Sequence, residues 1–98
     1  MELFREPLEF EWGAGNREKN FLKHGVANIE CEEVFFDSHK RILKEIFCVG
    51  GIQHEKRYIM MGRTKEKRAL YIVFTLRRGK VRVISARDLN RKERRLLP

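Results

Sequence analysis

The side chains that could do chemistry here are few and scattered. His24, His39 and His54 fall in separate segments, and nothing spaces them as HExxH, CxxC or a Cys/His cluster, so a metal site is not expected. There is no phosphate-binding glycine loop followed by Lys-Ser/Thr, no dinucleotide fingerprint and no Gly-x-Ser-x-Gly elbow. Chemistry that needs no metal remains. Cleaving RNA requires a base for the 2′-hydroxyl, cations for the phosphorane and an acid for the 5′-oxygen. "LKHG" (Lys23, His24), "HEKRY" (His54 to Tyr58), Arg63, Arg82 and Arg87 supply those types. Each has a plainer reading. Lys23 and His24 complement a helix C-terminus; Glu55, Arg57 and Tyr58 form a sheet-edge network; Arg63 is a loop cation beside Gly62. Arg87 pairs with Asp88 or Glu93, and the RKERR run is a solvated helix face.

The elements that must position these residues can be read from periodicity. "LEFEW" (Leu8 to Trp12) alternates like a half-buried strand, and Gly13-Ala14-Gly15 stops it. "NREKNFLKHG" reads as a helix with Asn16 near the N-cap and Gly25 at C′. "NIECEEVFF" reads as a second helix capped by Asn28, with Val34 and Phe35 inward, and the two form an αα-hairpin. From Ile42 the pattern turns to strands: "RILKEIFCVG", "KRYIMMGRT", and two more around a two-residue turn at Arg78-Gly79. "DLNRKERRLL" is a short helix with Asp88 as its expected N-cap. A two-residue loop sets Leu76 against Val81, Phe74 against Val83 and Ile72 against Ser85 on the core face. The other face then pairs Arg77 with Lys80, Thr75 with Arg82, Val73 with Ile84 and Tyr71 with Ala86. A one-residue slip would bury Arg82, so the arginine-lined face is expected to be the open one.

The chain has 98 residues, 42% hydrophobic and 37% charged, which fits one domain with one modest core. Its net charge of +8 is unevenly spread. Residues 1–37 carry nine acids against four bases, a net of −5; residues 38–76 carry nine bases against three acids, +6; residues 77–98 carry nine against two, +7. Such polarisation points to a polyanionic partner, and the arginine-rich last block suits phosphate. No apolar run approaches a membrane span and the acidic N-terminus shows no export signal, so a cytoplasmic protein with reduced Cys31 and Cys48 is expected.

Taken in order, "FEW", "N…KHGV", "EE-VF-D", "EKRY…GRT", "VFT", "RVISAR" and "RKERR" resemble the BrnT-type toxin family from Phe10 to about Arg95. The resemblance implies an α+β, RelE-like fold: a curved antiparallel sheet with the αα-hairpin on one face and a short C-terminal helix, over a single domain, 1–98. It implies a metal-independent, cofactor-free endoribonuclease toxin of a type II toxin–antitoxin module that inhibits translation. Its partners would be an RNA substrate and a cognate DNA-binding, BrnA-like antitoxin in a hetero-oligomer. Carried over by position, the catalytic set is His24, Glu55, Arg63, Arg82 and Arg87, and the RNA-binding set is Lys23, Arg57, Tyr58, Arg77, Arg91 and Arg94. Gly13-Ala14 replaces the family's usual Asp-Pro, which implies a later start to the first helix, and "ANIECEE" replaces its usual entry to the second. The end, Leu96-Leu97-Pro98, lacks the family's aromatic. A non-catalytic nucleic-acid-binding module, or a degenerate toxin that serves only as an antitoxin partner, is the alternative.

Overall fold

The structure of the chain is a computed structural model that describes residues 7–13, 19–50 and 53–98, with the side chains of residues 44–50 and 53–55 outside the description. Its elements are α1 (Lys19–His24), α2 (Asn28–Phe35), β1 (Arg41–Gly50), β2 (Gln53–Arg63), β3 (Ala69–Arg77), β4 (Lys80–Asp88) and α3 (Arg91–Arg94). The four strands form one antiparallel sheet in the order β1-β2-β3-β4. The architecture is therefore α+β, as expected.

Alternation along the strands sorts their side chains onto two faces. Met60, Leu70, Ile72, Phe74, Val81, Val83 and Ala86 are buried on one face against Val26 and the inward stripe of α2, Cys31, Val34 and Phe35. The Phe35 ring meets Phe10 and Phe74 edge-on, at centroid distances of 5.2 and 5.0 Å. The layers approach closely at Gly62, where an added Cβ would lie 2.7 Å from Val34 Cγ1. Cys31 is a free thiol in this core, and burial, with Glu30 and Glu32 nearby, pushes it up to about 12. Cys48 falls among the undescribed side chains.

The expected strand at Leu8 to Trp12 is shorter than its pattern. Only Phe10 bridges to β4, in parallel, with Glu11 N–H donating to Val81 O and Val81 N–H to Glu9 O, each at 2.8 Å. Its alternation is kept: Leu8, Phe10 and Trp12 pack on the core, and Trp12 Nε1 donates to Glu32 of α2 at 2.8 Å. Asn16 and the start of the first helix lie outside the described residues. Gly25 ends α1 with φ +68°, a value glycine adopts without a Cβ penalty, and its N–H donates to Phe21 O.

Two expected caps are corrected. Ala27, not Asn28, is the N-cap of α2, and its N–H donates to Glu30 Oε1 at 3.0 Å, so the glutamate three residues on satisfies the helix entry. For α3 the N-cap is Asn90, whose Oδ1 accepts from Glu93 N–H at 2.8 Å, because Asp88 is still in β4.

The last hairpin follows the expected register from its turn only as far as Phe74 opposite Val83. A bulge then shifts the pairing by one, setting Val73 opposite Ser85, Ile72 opposite Ala86 and Tyr71 opposite Arg87. Ile72–Ser85, Val73–Ile84 and Tyr71–Ala86 are thus corrected. The bulge buries small Ala86 where Ser85 was expected. Helix α1 staples it: Lys19 Nζ donates to Ile84 O at 3.2 Å, and buried Asn20 Oδ1 accepts from Ala86 N–H at 3.0 Å.

Candidate nucleic-acid interface

The face of the sheet turned away from α2 carries the cations. Strand alternation places Arg57 and Arg63 of β2, Arg77 of β3, and Lys80, Arg82 and Arg87 of β4 on it. The C-terminal tail covers one end of this face, where Leu89 and Leu97 bury Met61 and Ala69 with Tyr71 alongside. Arg41 Nη1 ties the tail down by donating to Leu96 O at 2.9 Å.

Two of the arginines are held by carboxylates. The β4 register sets Arg82 opposite Thr75 and Arg87 opposite Tyr71, four residues and so about 13 Å apart along β3. Arg82 Nη1 meets Glu11 Oε1 at 3.3 Å, and Lys80 next to it meets Glu9 at 3.7 Å. The acidic N-terminal segment therefore neutralises part of the basic hairpin within the chain.

Arg87 is fixed more firmly. Its Nη1 and Nη2 donate to the two oxygens of Glu93 at 2.8 and 2.9 Å, Nη1 also reaches Asp88 O at 3.1 Å, and the guanidinium lies 4.0 Å above the Tyr71 ring. The Arg87 hydrogen bonds hold the Glu93 carboxyl down to about 2. Glu93 is itself anchored, because its Oε1 accepts from Asn90 N–H at 2.9 Å. Of five guanidinium hydrogens these contacts take three, leaving Nε–H and one Nη2 hydrogen. The side chain is 39% exposed, and those two hydrogens have no hydrogen-bond partner among the described residues. Arg91 and Arg94 are exposed on α3 just beyond it.

His24 and Lys23 end α1, which runs along the outer edge of β4, and both are exposed. His24 O accepts from Arg68 Nη2 at 3.4 Å, and the His24 ring is within electrostatic reach of Asp88. Asp88 pairs with core-facing Leu70, so this group belongs to the helix side of the sheet end and Arg87 to the open side. Arg63 is engaged elsewhere: its N–H donates to Asp37 Oδ2 at 2.8 Å, and its side chain reaches Lys67 O. The structure therefore does not gather His24, Arg63, Arg82 and Arg87 around one point. Glu55 lies in β2, but its side chain is outside the described set. Tyr58 and Arg57 are neighbours in sequence and lie on opposite faces. Tyr58 stacks on Phe74 at 5.3 Å and is partly buried at the margin of the core.

Sequence reasoning missed Arg68. Its Nε and Nη2 donate to Asp88 at 2.7 and 3.0 Å, and Nη1 donates to Gly25 O and to Glu30, joining α1, α2 and β4 at one point. The Arg68 hydrogen bonds lower the Asp88 pKa, outweighing partial burial. No spacing in "TKEKRA" marks it, because its partners come from three distant segments.

Among the described residues no three His, Cys, Asp or Glu side chains gather as metal ligands, and no helix is long and apolar enough to cross a membrane. A search of curated proteins returned no match to the chain. An arginine-led open face on a small α+β sheet, with charged residues clustered at its C-terminal end, is a surface suited to a nucleic acid. The family model for BrnT, the ribonuclease toxin of type II toxin–antitoxin systems, matches residues 12–93, and the chain belongs to that family, which brings RNA as target and an antitoxin protein as partner.

Proposed function

We propose that this chain is a metal-independent endoribonuclease of RelE-like fold that inhibits translation by cutting RNA, and that a cognate DNA-binding antitoxin of BrnA type restrains it in a hetero-oligomer. In the reaction, a base removes the 2′-hydroxyl proton and the 2′-oxygen attacks the adjacent phosphorus. The P–O5′ bond breaks, the 5′-oxygen takes a proton, and a 2′,3′-cyclic phosphate remains. Arg87 holds the scissile phosphate in this scheme. The observation that carries the reading is its fixed guanidinium, seated on Tyr71 and Glu93, partly exposed and with two hydrogens unspent. A donor preorganised in this way need not reorient as charge develops on the phosphorane. Arg63 and Arg82 add positive potential, and Lys23, Arg57, Arg77, Arg91 and Arg94 steer flanking phosphates. Of the proton-exchanging candidates His24 and Glu55, His24 lies on the helix side of the sheet end, so it acts only on RNA that bends round that end from Arg87. Tyr58, partly buried against the core and stacked on Phe74, supports the sheet from below.

The test is purified protein with end-labelled RNA in EDTA. Cleavage to 2′,3′-cyclic ends is expected, lowered roughly 100-fold by Arg87→Ala. The pairs Arg82–Glu11 and Arg87–Glu93 favour a second reading, in which cations already neutralised within the chain serve binding alone. Intact RNA at high protein excess, with salt-sensitive binding retained, would establish that reading and end the first.

A further inference from the structure

We infer that the groove between α2, the β2–β3 turn and the C-terminal tail is the dock for an amphipathic segment of the antitoxin, an inference that rests on the chain acting with a protein antitoxin. The groove encloses about 800 Å³. Its α2 wall presents Ile29, Glu32, Glu33 and Phe36, an i, i+3, i+4, i+7 stripe on the side of the helix opposite the core-facing Cys31, Val34 and Phe35. Ile29 and Phe36 are 60% and 68% exposed, large apolar side chains left open to water on the same wall. Leu97 and Pro98 of the tail line the groove as well.

Charge distinguishes the possible occupants. The turn wall carries Arg63, Lys65 and Lys67, whereas the α2 side carries Glu32, Glu33 and Asp37. Those acids are fixed in place: Glu32 by Trp12 Nε1, Glu33 by Lys65 N–H at 3.0 Å, and Asp37 by the N–H groups of Arg63 and His39. Acids and bases meet where Glu33 and Asp37 accept from the turn's Lys65 and Arg63 N–H groups, with Ile29, Phe36 and Leu97 beside that seam, which matches a peptide with an apolar ridge and flanks of both signs. An RNA strand would gain at one wall and be repelled at the other. The basic face suits RNA, and this groove suits protein. An occupant would also press on Leu97 and Pro98 of the tail that follows α3.

The experiment is co-expression and calorimetry of the full chain with the antitoxin of its own module. Ile29→Ser with Phe36→Ser, and separately Lys65→Glu with Lys67→Glu, should each weaken the complex at least tenfold. Thermal unfolding of the lysine variant should match the parent, because its changes lie in an exposed turn. Unchanged affinity in both variants would overturn the assignment. So would an intact complex with weakened RNA binding, which would give the groove to RNA. Loss of the complex alongside a failure to cleave RNA in EDTA would leave this dock standing and remove the nuclease reading alone.

Discussion

Arg68 and Arg87 carry the same side chain, and each grips a carboxylate through two N–H groups, yet what each leaves over is different. Arg68 spends all five of its hydrogens inside the chain, on Asp88, Glu30, Gly25 O and His24 O. Arg87 spends three and keeps an edge on the open face. A saturated arginine holds segments together; one that is fixed but unsaturated has donors left for a ligand. Motif spacing could not tell them apart, and it put Arg87 among the candidates while passing over Arg68.

Removing each arginine should separate the two roles, with the largest effect at Arg68. Arg68→Ala strands two backbone carbonyls and the carboxylates of Asp88 and Glu30, all at the junction of α1, α2 and β4. The pair is partly exposed, so the expected loss is about 2–3 kcal/mol of unfolding free energy, below the cost of breaking a fully buried pair. Arg87→Ala should cost about 1 kcal/mol and should act chiefly on RNA cleavage. Urea denaturation of both variants checks this. Equal stability losses would abolish the contrast between a structural and a functional arginine.

A smaller effect is expected at the bulge that puts Arg87 over Tyr71. Asn20→Ala leaves Ala86 N–H buried without its acceptor, which should cost about 1–2 kcal/mol. Hydrogen exchange at the Ala86 amide is the direct measurement. Unchanged protection would mean that hairpin pairing alone holds the shifted register and that α1 merely lies beside it.

The bulge also marks where the sequence stops being readable. Strand alternation gave the four strands closely, β1 to the residue, and the Arg78-Gly79 turn is legible because its glycine takes the positive φ of 80° freely, while Arg78 holds φ 52° at a cost. Counting outward from that turn works until an extra residue enters one strand, and Ile84-Ser85 breaks no pattern strongly enough to announce it. Caps were misjudged for a related reason. Asp88 and Asn90 are both good cap residues, and the choice between them depends on where β4 ends; at α2 the good cap residue Asn28 yields to Ala27, because Glu30 and not the cap side chain satisfies the helix entry. The split between Arg57 and Tyr58 was legible from alternation, but grouping them in one motif hid it. Arg68 was not legible, since nothing local links it to Gly25, Glu30 and Asp88.

The smallest effect concerns acid. Glu93 is held down to about 2 by Arg87, against about 4.3 for an unperturbed glutamate. A depressed carboxyl stabilises the fold above its unfolded value, and that contribution fades as pH falls from about 4.3 toward about 2. Glu93→Gln keeps an oxygen for Asn90 N–H and so keeps the α3 cap, but it removes the ion pair. Parent and variant should therefore differ by less than about 1 kcal/mol at pH 7, since the Arg87 side of the pair is open to solvent, and should converge only as pH falls to about 2. Asp88 and Asp37 also titrate low and make both proteins acid-sensitive, so the difference between the two curves is the informative quantity. A constant gap at every pH would mean that Glu93 acts through the cap and packing of α3. Arg87 would then owe its position to Tyr71 and the bulge, and its free edge would not depend on the carboxylate beside it.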